Sequence, residues 1–262
     1  MTLTKEKIIF HLDRISKFAF DNLQELAKLN IDLKKEPESF YLGIINRQYT
    51  LTKDLSILFV SKNSIYLGSQ LILFRCILDD FIHLIYIINQ SDSNEAMTKF
   101  NSDAYNKNFK RLEKLATLNE TKLGGNYPQY PTYEWINDKK NTFRNESYSQ
   151  KYFINKEDFK LKSFDSMGNM IFKLKDENYS HKLRRAYYFW GYLSDFVHYS
   201  NYSFGIERRI KPETDGTYLI FAEILQNSYE VIKTSFEYFK NSYNINIIDN
   251  GNLAEYYKDS EH

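Results

Sequence analysis

The sequence predicts an all-α protein, a helical bundle of about six or seven helices, and three observations support this prediction. Of the 262 residues only 4 are proline and 9 are glycine, so residues that interrupt helices are rare. Hydrophobic residues make up 42% of the chain and charged residues 26%, which is the balance of a globular chain. Along most of the chain, apolar residues recur every three to four positions, as on one face of a helix.

Four helices are predicted in the first half of the chain. The links between them are short, which favours an up-and-down bundle. The third helix is apolar almost all round and is therefore expected at the centre. The four predicted helices cover 4–30, 38–61, 64–90 and 94–118.

An irregular insertion is predicted at about 119–165, because glycine and proline cluster near its start. Within it, Thr132 is a suitable cap for a short helix over 133–143. Composition does not shift along the chain, so residues 1–243 are interpreted as a single domain, followed by a loosely held tail over 244–262. After the insertion, helices are predicted over 166–174, 181–200 and 214–243, with a polar link over 203–213.

Charge and cysteine content exclude several classes of protein. Lys and Arg total 35 and Asp and Glu 34, which argues against a protein that coats duplex nucleic acid or an anionic membrane. The single cysteine, Cys76, excludes a disulfide framework and a cysteine-built zinc site. No glycine-rich phosphate loop or paired-histidine metal motif is present, so no cofactor or metal is expected.

The most apolar stretch, 65–88, is long enough to span a bilayer. Arg75, Asp79, Asp80 and His83 lie in its middle, and charged groups at that depth of a membrane are costly. This stretch therefore predicts a helix buried inside a protein. No signal peptide precedes it, and a cytoplasmic location is expected.

The spacing of Arg75, Asp79 and His83 places them along one side of that helix. Charged groups in an apolar helix require partners, and Arg75 can pair with Asp79. Two interpretations stay open: an ion pair that fixes the helix in register, or an arginine that Asp79 holds towards a cleft to bind an anion. His83 is more typical of a satisfied core histidine, and Asp80 is expected to cap a loop or to face solvent.

The helix over 181–200 has a polar and an apolar side. Gly191 in its middle indicates the close approach of another element, because glycine costs about 0.5–1 kcal/mol there relative to alanine. His198 lies near the helix end, where the dipole favours its charged form and proton transfer near neutral pH is feasible. The polar side either faces water or forms a site. It holds Arg184, Tyr187, Gly191, Ser194, Asp195 and His198, and the core side holds Ala186, Phe189, Trp190, Leu193, Phe196 and Val197.

Two short motifs resemble signatures of an uncharacterised prokaryotic helical-bundle family that is related to the HEPN superfamily. The first is Arg75–Asp79, followed by Ile82 and Tyr86, which is similar to that family's arginine and acid in an apolar helix. The second is Ser194–His198, which matches a serine and a histidine four residues later at the end of a helix. The resemblance covers roughly 60–210.

The resemblance implies a relation to ribonuclease toxins and phage-defence effectors, with two departures. The family's acid is more often glutamate, and Asp79 has a shorter reach. HEPN ribonucleases carry an arginine four to six residues before a histidine on one helix, and this chain lacks that spacing. Ribonuclease activity therefore requires Arg75 and His198 to meet across the bundle.

If they meet, a metal-independent cleavage of RNA is the expected chemistry. His198 would take the proton of a ribose 2′-hydroxyl, and Arg75 would stabilise the charge on the phosphate. Asp79 would orient Arg75, and Ser194 would hold the histidine or bind the phosphate. Basic side chains elsewhere could guide the RNA backbone, although a solvated face is their commoner role. These are Arg184, Arg208, Arg209 and Lys211, with Arg185 beside them.

Other functions stay open at this point. The same polar residues could form a structural network in a non-catalytic helical module that binds a protein or a small anionic ligand. A third interpretation is an enzyme acting on another small anionic substrate. The HEPN resemblance further implies a homodimer, and a toxin of this kind would have a neutralising protein partner.

Overall fold

The computed structural model describes residues 3–61, 67–175, 177–197, 200–214 and 216–252, except for the side chains of residues 201 and 202. The chain is mainly α-helical, as predicted, and its only described strands are β1 (Phe153–Asn155) and β2 (Lys160–Leu161). The described residues form nine α-helices, slightly more than expected. They are α1 (Lys5–Leu26), α2 (Glu36–Val60), α3 (Leu67–Ile88), α4 (Ser93–Lys122), α5 (Tyr133–Asn145), α6 (Met167–Lys173), α7 (Glu177–Ser194), α8 (Asn201–Glu207) and α9 (Thr217–Tyr243).

The chain divides into two compact units, the bundle unit (1–89 and 167–262) and the inserted unit (90–166). The sequence predicted a single domain with an insertion at about 119–165. The inserted unit is larger because it includes α4, whose periodicity resembles that of the bundle helices.

The bundle unit is built on α1, α2, α3 and α9. α9 packs against each of the other three, and α7 packs against α3. α9 thus takes the place in the bundle that the sequence assigned to α4. Thirteen of its residues are buried, whereas α4 buries seven of thirty.

Aromatic rings form the centre of the bundle core. The rings of Phe74 and Phe221 stack with centroids 4.2 Å apart, and Phe59 meets both of them edge-on. All three side chains are at most 2% exposed. α3 is buried along most of its length, as its composition predicted. Among the residues that the structure describes, no helix combines the length and hydropathy needed to cross a bilayer.

The inserted unit has its own small aromatic core. α5 begins where predicted, and the Thr132 hydroxyl accepts a hydrogen bond from the backbone N–H of Trp135 at 3.2 Å. A 3₁₀ turn (Ser147–Tyr152) and the antiparallel β1–β2 hairpin follow. Phe109, Phe143 and Tyr152 pack together beneath these elements.

The polar link predicted over 203–213 contains α8. This helix is short and has little apolar periodicity, but a local capping box starts it. The Ser200 hydroxyl accepts from the Ser203 N–H, and the Ser203 hydroxyl accepts from the Ser200 N–H, each at 3.0 Å.

The first residues of the predicted loose tail are docked on the bundle. The Asn22 amide and the backbone of Ile248 exchange two hydrogen bonds, of 2.9 and 3.0 Å. The Arg14 guanidinium donates to the Asn250 carbonyl oxygen at 3.1 Å. A Cβ at Gly251 would lie 2.7 Å from the Cβ of Phe18, so only glycine fits this close approach. Residues 253–262 of that tail lie outside the described part of the chain.

Candidate functional site: an arginine held between α3 and α7

The candidate residues on α3 and α7 meet within the bundle unit. Arg75 and Asp79 lie one turn apart on α3, which packs against α7, the helix that carries Ser194. The side chain of Arg75 is 22% exposed and that of Asp79 20%. The cluster is therefore largely buried but in contact with solvent.

Arg75 is held from three directions. Its Nε donates to the Ser194 hydroxyl oxygen at 2.8 Å, and its Nη1 donates to Asp79 Oδ2 at 2.9 Å. Its guanidinium carbon lies 4.9 Å from the centre of the Trp190 ring, within cation–π range. Its Nη2 makes no hydrogen bond to any residue that the structure describes. Among the described residues, this edge of the guanidinium therefore has no hydrogen-bond partner, and an edge of this kind suits an oxyanion.

Both carboxylate oxygens of Asp79 have donors. Oδ2 accepts from Arg75, and Oδ1 accepts from the indole N–H of Trp190 at 2.6 Å. Asp79 therefore orients two side chains that also contact each other. This arrangement leaves Asp79 better suited to positioning Arg75 than to proton transfer.

Trp190 is the member of this cluster that the sequence did not single out. The helical projection placed it on the core side of α7, where Ala186, Phe189 and Leu193 are indeed buried. A half-buried indole requires an acceptor for its N–H, and the carboxylate one turn from Arg75 supplies it. Tyr187 stacks on Trp190 at 5.7 Å with nearly parallel rings.

Ser194 ends α7 and is committed within the protein. Its hydroxyl donates to the carbonyl oxygen of Trp190 at 2.6 Å and accepts from Arg75. Because a hydroxyl has one proton, donation to a phosphate would require breaking the bond to Trp190. Ser194 therefore positions Arg75 in this structure.

His198, the predicted general base, lies outside the described residues. Three of the four predicted catalytic side chains, Arg75, Asp79 and Ser194, are thus brought together. The meeting of Arg75 with His198 stays a prediction. The described part of α7 ends at Ser194, and Asp195, Phe196 and Val197 form a turn.

His83 lies next to the cluster but points into the helix backbone. Its Nδ1–H donates to the Asp79 carbonyl oxygen at 2.6 Å, which assigns the tautomer with the proton on Nδ1. This contact agrees with the interpretation of His83 as a satisfied histidine.

Two expectations about individual residues are wrong. Among the described residues, no other element approaches Gly191: nothing lies within 4 Å of the position of a Cβ, and the residue is exposed. Asp80 neither caps a loop nor faces solvent. It is 8% exposed because α3 turns it towards α2.

Asp80 belongs to a second polar network, which crosses three helices. Gln48 Nε2 donates to Asp80 Oδ2 at 2.7 Å, and the Ser228 hydroxyl donates to Gln48 Oε1 at 2.7 Å. Arg47 Nε approaches the same carboxylate oxygen to 3.1 Å. Burial outweighs these interactions and raises the pKa of Asp80 to about 6.

The basic residues proposed for RNA do not form one described cluster. Arg184 lies on the exposed side of α7, where its neighbour Arg185 forms a double contact with Glu223 of α9. Arg208 and Lys211 line a cavity near α8, whose lining does not include Arg209 among the described residues.

The described residues contain no group of three or more histidine, cysteine or acidic side chains placed to hold a metal ion. Cys76 is half-buried, and burial raises the pKa of its thiol. A raised pKa leaves less of the reactive thiolate, which agrees with the expected inertness of Cys76, although the residue is half-buried rather than in the core.

Comparisons with known protein families, with characterised proteins and with solved structures find no match to this chain.

Proposed function

We propose that the chain is a HEPN-like effector in which Arg75 binds an RNA phosphate and His198 carries out the proton transfers of a metal-independent cleavage. The observation on which this proposal rests is the fixed guanidinium of Arg75, with its Nη2 edge open. A prepositioned guanidinium stabilises the charge that develops on a phosphate and requires little reorganisation.

In the proposed reaction, His198 removes the proton of a ribose 2′-hydroxyl. The 2′ oxygen forms a bond to the neighbouring phosphorus, and the bond from phosphorus to the 5′ oxygen breaks. The proton held by His198 passes to that leaving oxygen. The products are a 2′,3′-cyclic phosphate and a 5′-hydroxyl. Arg75 stabilises the charge on the phosphate throughout the reaction. Asp79, Trp190 and Ser194 keep the guanidinium of Arg75 in place.

The test uses the full chain and a short labelled single-stranded RNA in buffer with EDTA. Anisotropy measures binding, and a denaturing gel with analysis of the product ends measures cleavage. We expect Arg75→Gln to weaken binding and to abolish cleavage, and His198→Ala to abolish cleavage alone. His181→Ala on α7 is the matched control and should retain both activities.

A second candidate function is a non-catalytic helical module, and one observation favours it. Both carboxylate oxygens of Asp79 and the hydroxyl oxygen of Ser194 accept from protein donors, as in a structural network. RNA that is neither bound nor cleaved by the wild-type chain would overturn the first proposal in favour of this one. Binding without cleavage would keep the phosphate site and remove the role of His198.

A homodimer and a neutralising protein partner belong to the proposal through the HEPN resemblance alone. In phage defence or a stress response, overexpression of an active chain should arrest growth, and Arg75→Gln should relieve the arrest.

A further inference from the structure

A cavity of about 520 Å³ lies in the bundle unit, and its described lining includes neither Arg75 nor the residues that hold Arg75. Its walls come from the end of α2, the first turn of α3, α8 with the turn that follows it, and the start of α9. Cavities of this size hold small organic ligands.

One wall of the cavity is apolar and aromatic. Phe59 and Tyr218 are buried behind it, and Ile210 is half-buried beside them. Phe204 adds a ring that is 48% exposed, with the Arg208 guanidinium 5.6 Å from its centre. This wall suits the flat apolar body of a ligand.

The cations at the cavity are Lys5, Arg208 and Lys211, and the acids are Glu207 and Glu213. Both acids also contact other parts of the protein. The cations line the open space, and Lys5 in addition donates to the carbonyl oxygen of Ser61 at 3.4 Å.

The first acid, Glu213, accepts a hydrogen bond from the Tyr218 hydroxyl at 3.2 Å. Burial and this carboxylate raise the pKa of Tyr218 to about 12, so the hydroxyl keeps its proton. The second acid, Glu207, turns towards the first turn of α3, where a Cβ at Gly68 would lie 2.7 Å from its Oε1.

We propose that this cavity binds a small organic anion that has a flat apolar body. Its body lies on the wall near Phe59 and Tyr218, and its anionic group meets Arg208 and Lys211. The same two residues were candidates for contact with an RNA backbone. Their concave setting favours a compact ligand instead. This site is separate from the proposed function at Arg75.

The test compares two fluorescent probes that share one apolar body. 1-Anilinonaphthalene-8-sulfonate carries an anionic group, and N-phenyl-1-naphthylamine lacks it. We expect the sulfonate to bind the full chain at one saturable site, about tenfold more tightly than the neutral probe. The double variant Arg208→Gln and Lys211→Gln should remove that difference.

Arg209→Gln is the matched control, because it removes a neighbouring exposed cation that does not line the cavity, and it should leave both affinities unchanged. Gln70→Trp, which fills the space, should abolish saturable binding of both probes. Circular dichroism identifies any variant that fails to fold. Equal affinities for the two probes, or an effect of Arg209→Gln as large as that of the double variant, would overturn the proposal. Loss of RNA binding in Arg75→Gln leaves it unaffected.

Discussion

Asp79 and Asp80 are neighbours in sequence, yet they belong to two different polar networks on α3. Asp79 faces α7, and both of its oxygens accept from donors, one of them the charged Arg75. Asp80 faces α2 and α9, where its closest buried partner is the neutral amide of Gln48. The first network ends at the Nη2 edge of Arg75, which no described residue bonds, whereas the second ends at Ser228 inside the core.

The difference shows how one helix can hold two carboxylates for two purposes. A carboxylate with a complete set of donors stays fixed and can orient a cation. A carboxylate that is buried mostly against neutral groups is costly in its ionised form, and this raises its pKa. Under the proposed function, ligand binding belongs to the Asp79 side of α3 and bundle stability to the Asp80 side.

The largest expected effect is the pH dependence of the unfolding free energy that arises from the titration of Asp80. Its pKa rises on folding to about 6 from its ordinary value of 3.8, because burial disfavours the charged carboxylate. The stabilisation that protonated Asp80 provides is thus fully present below pH 3.8 and is lost as the pH rises through 6. Between these limits the loss is on the order of 2–3 kcal/mol. Urea unfolding across this range should show that the unfolding free energy of the wild type falls relative to that of Asp80→Asn as the pH rises.

His11 provides the opposing titration and must be measured beside it. It is fully buried in α1, and burial together with Arg14 lowers its pKa to about 4. Its contribution to stability is present above pH 6.5 and is lost as the pH falls towards 4. His11→Gln should therefore remove a slope of opposite sign. If Asp80→Asn and His11→Gln change the slope of unfolding free energy against pH in the same direction, the raised pKa assigned to Asp80 is wrong.

The next effect concerns the ligand side of the comparison. Asp79→Asn puts an amide N–H₂ where Arg75 or Trp190 now donates, so Arg75 loses its orientation. We expect the free energy of unfolding at pH 7 to fall by about 1–3 kcal/mol and the affinity for single-stranded RNA to fall about tenfold. Asp195→Asn, in the exposed turn that follows α7, is the control and should change neither quantity.

The sequence predicted those features of the two networks that depend on residues close together in the chain. The pairing of Arg75 with Asp79 follows from their separation of one helical turn, and the burial of α3 follows from its composition. The contact of Arg75 with Ser194 spans 119 positions and was suggested only by the resemblance between motifs. Trp190 was missed because a helical projection sorts residues by face, and an indole at the edge of the apolar stripe serves both the core and the site.

The network around Asp80 could not be predicted, because its partners come from helices far away in sequence. Gln48 and Ser228 are separated by 180 positions. Their pairing depends on the presence of α9 in the bundle, in the place that periodicity alone assigned to α4. Amphipathic periodicity shows that a helix buries one face, but it does not show against which partner.

The smallest expected effect compares two serines, each of which closes one of the networks. Ser228→Ala leaves the buried Oε1 of Gln48 without its donor, and unfolding free energy should fall by about 1–2 kcal/mol with RNA affinity unchanged. Ser194→Ala removes the acceptor of Arg75 Nε at a partly exposed position, so we expect a loss of at most about 1 kcal/mol but a measurable fall in RNA affinity. Ser228→Ala should thus have the larger effect in the urea titration, and Ser194→Ala the larger effect in the anisotropy titration. If the same serine variant has both the lower unfolding free energy and the lower RNA affinity, the proposed separation of stability and binding between the two sides of α3 is wrong.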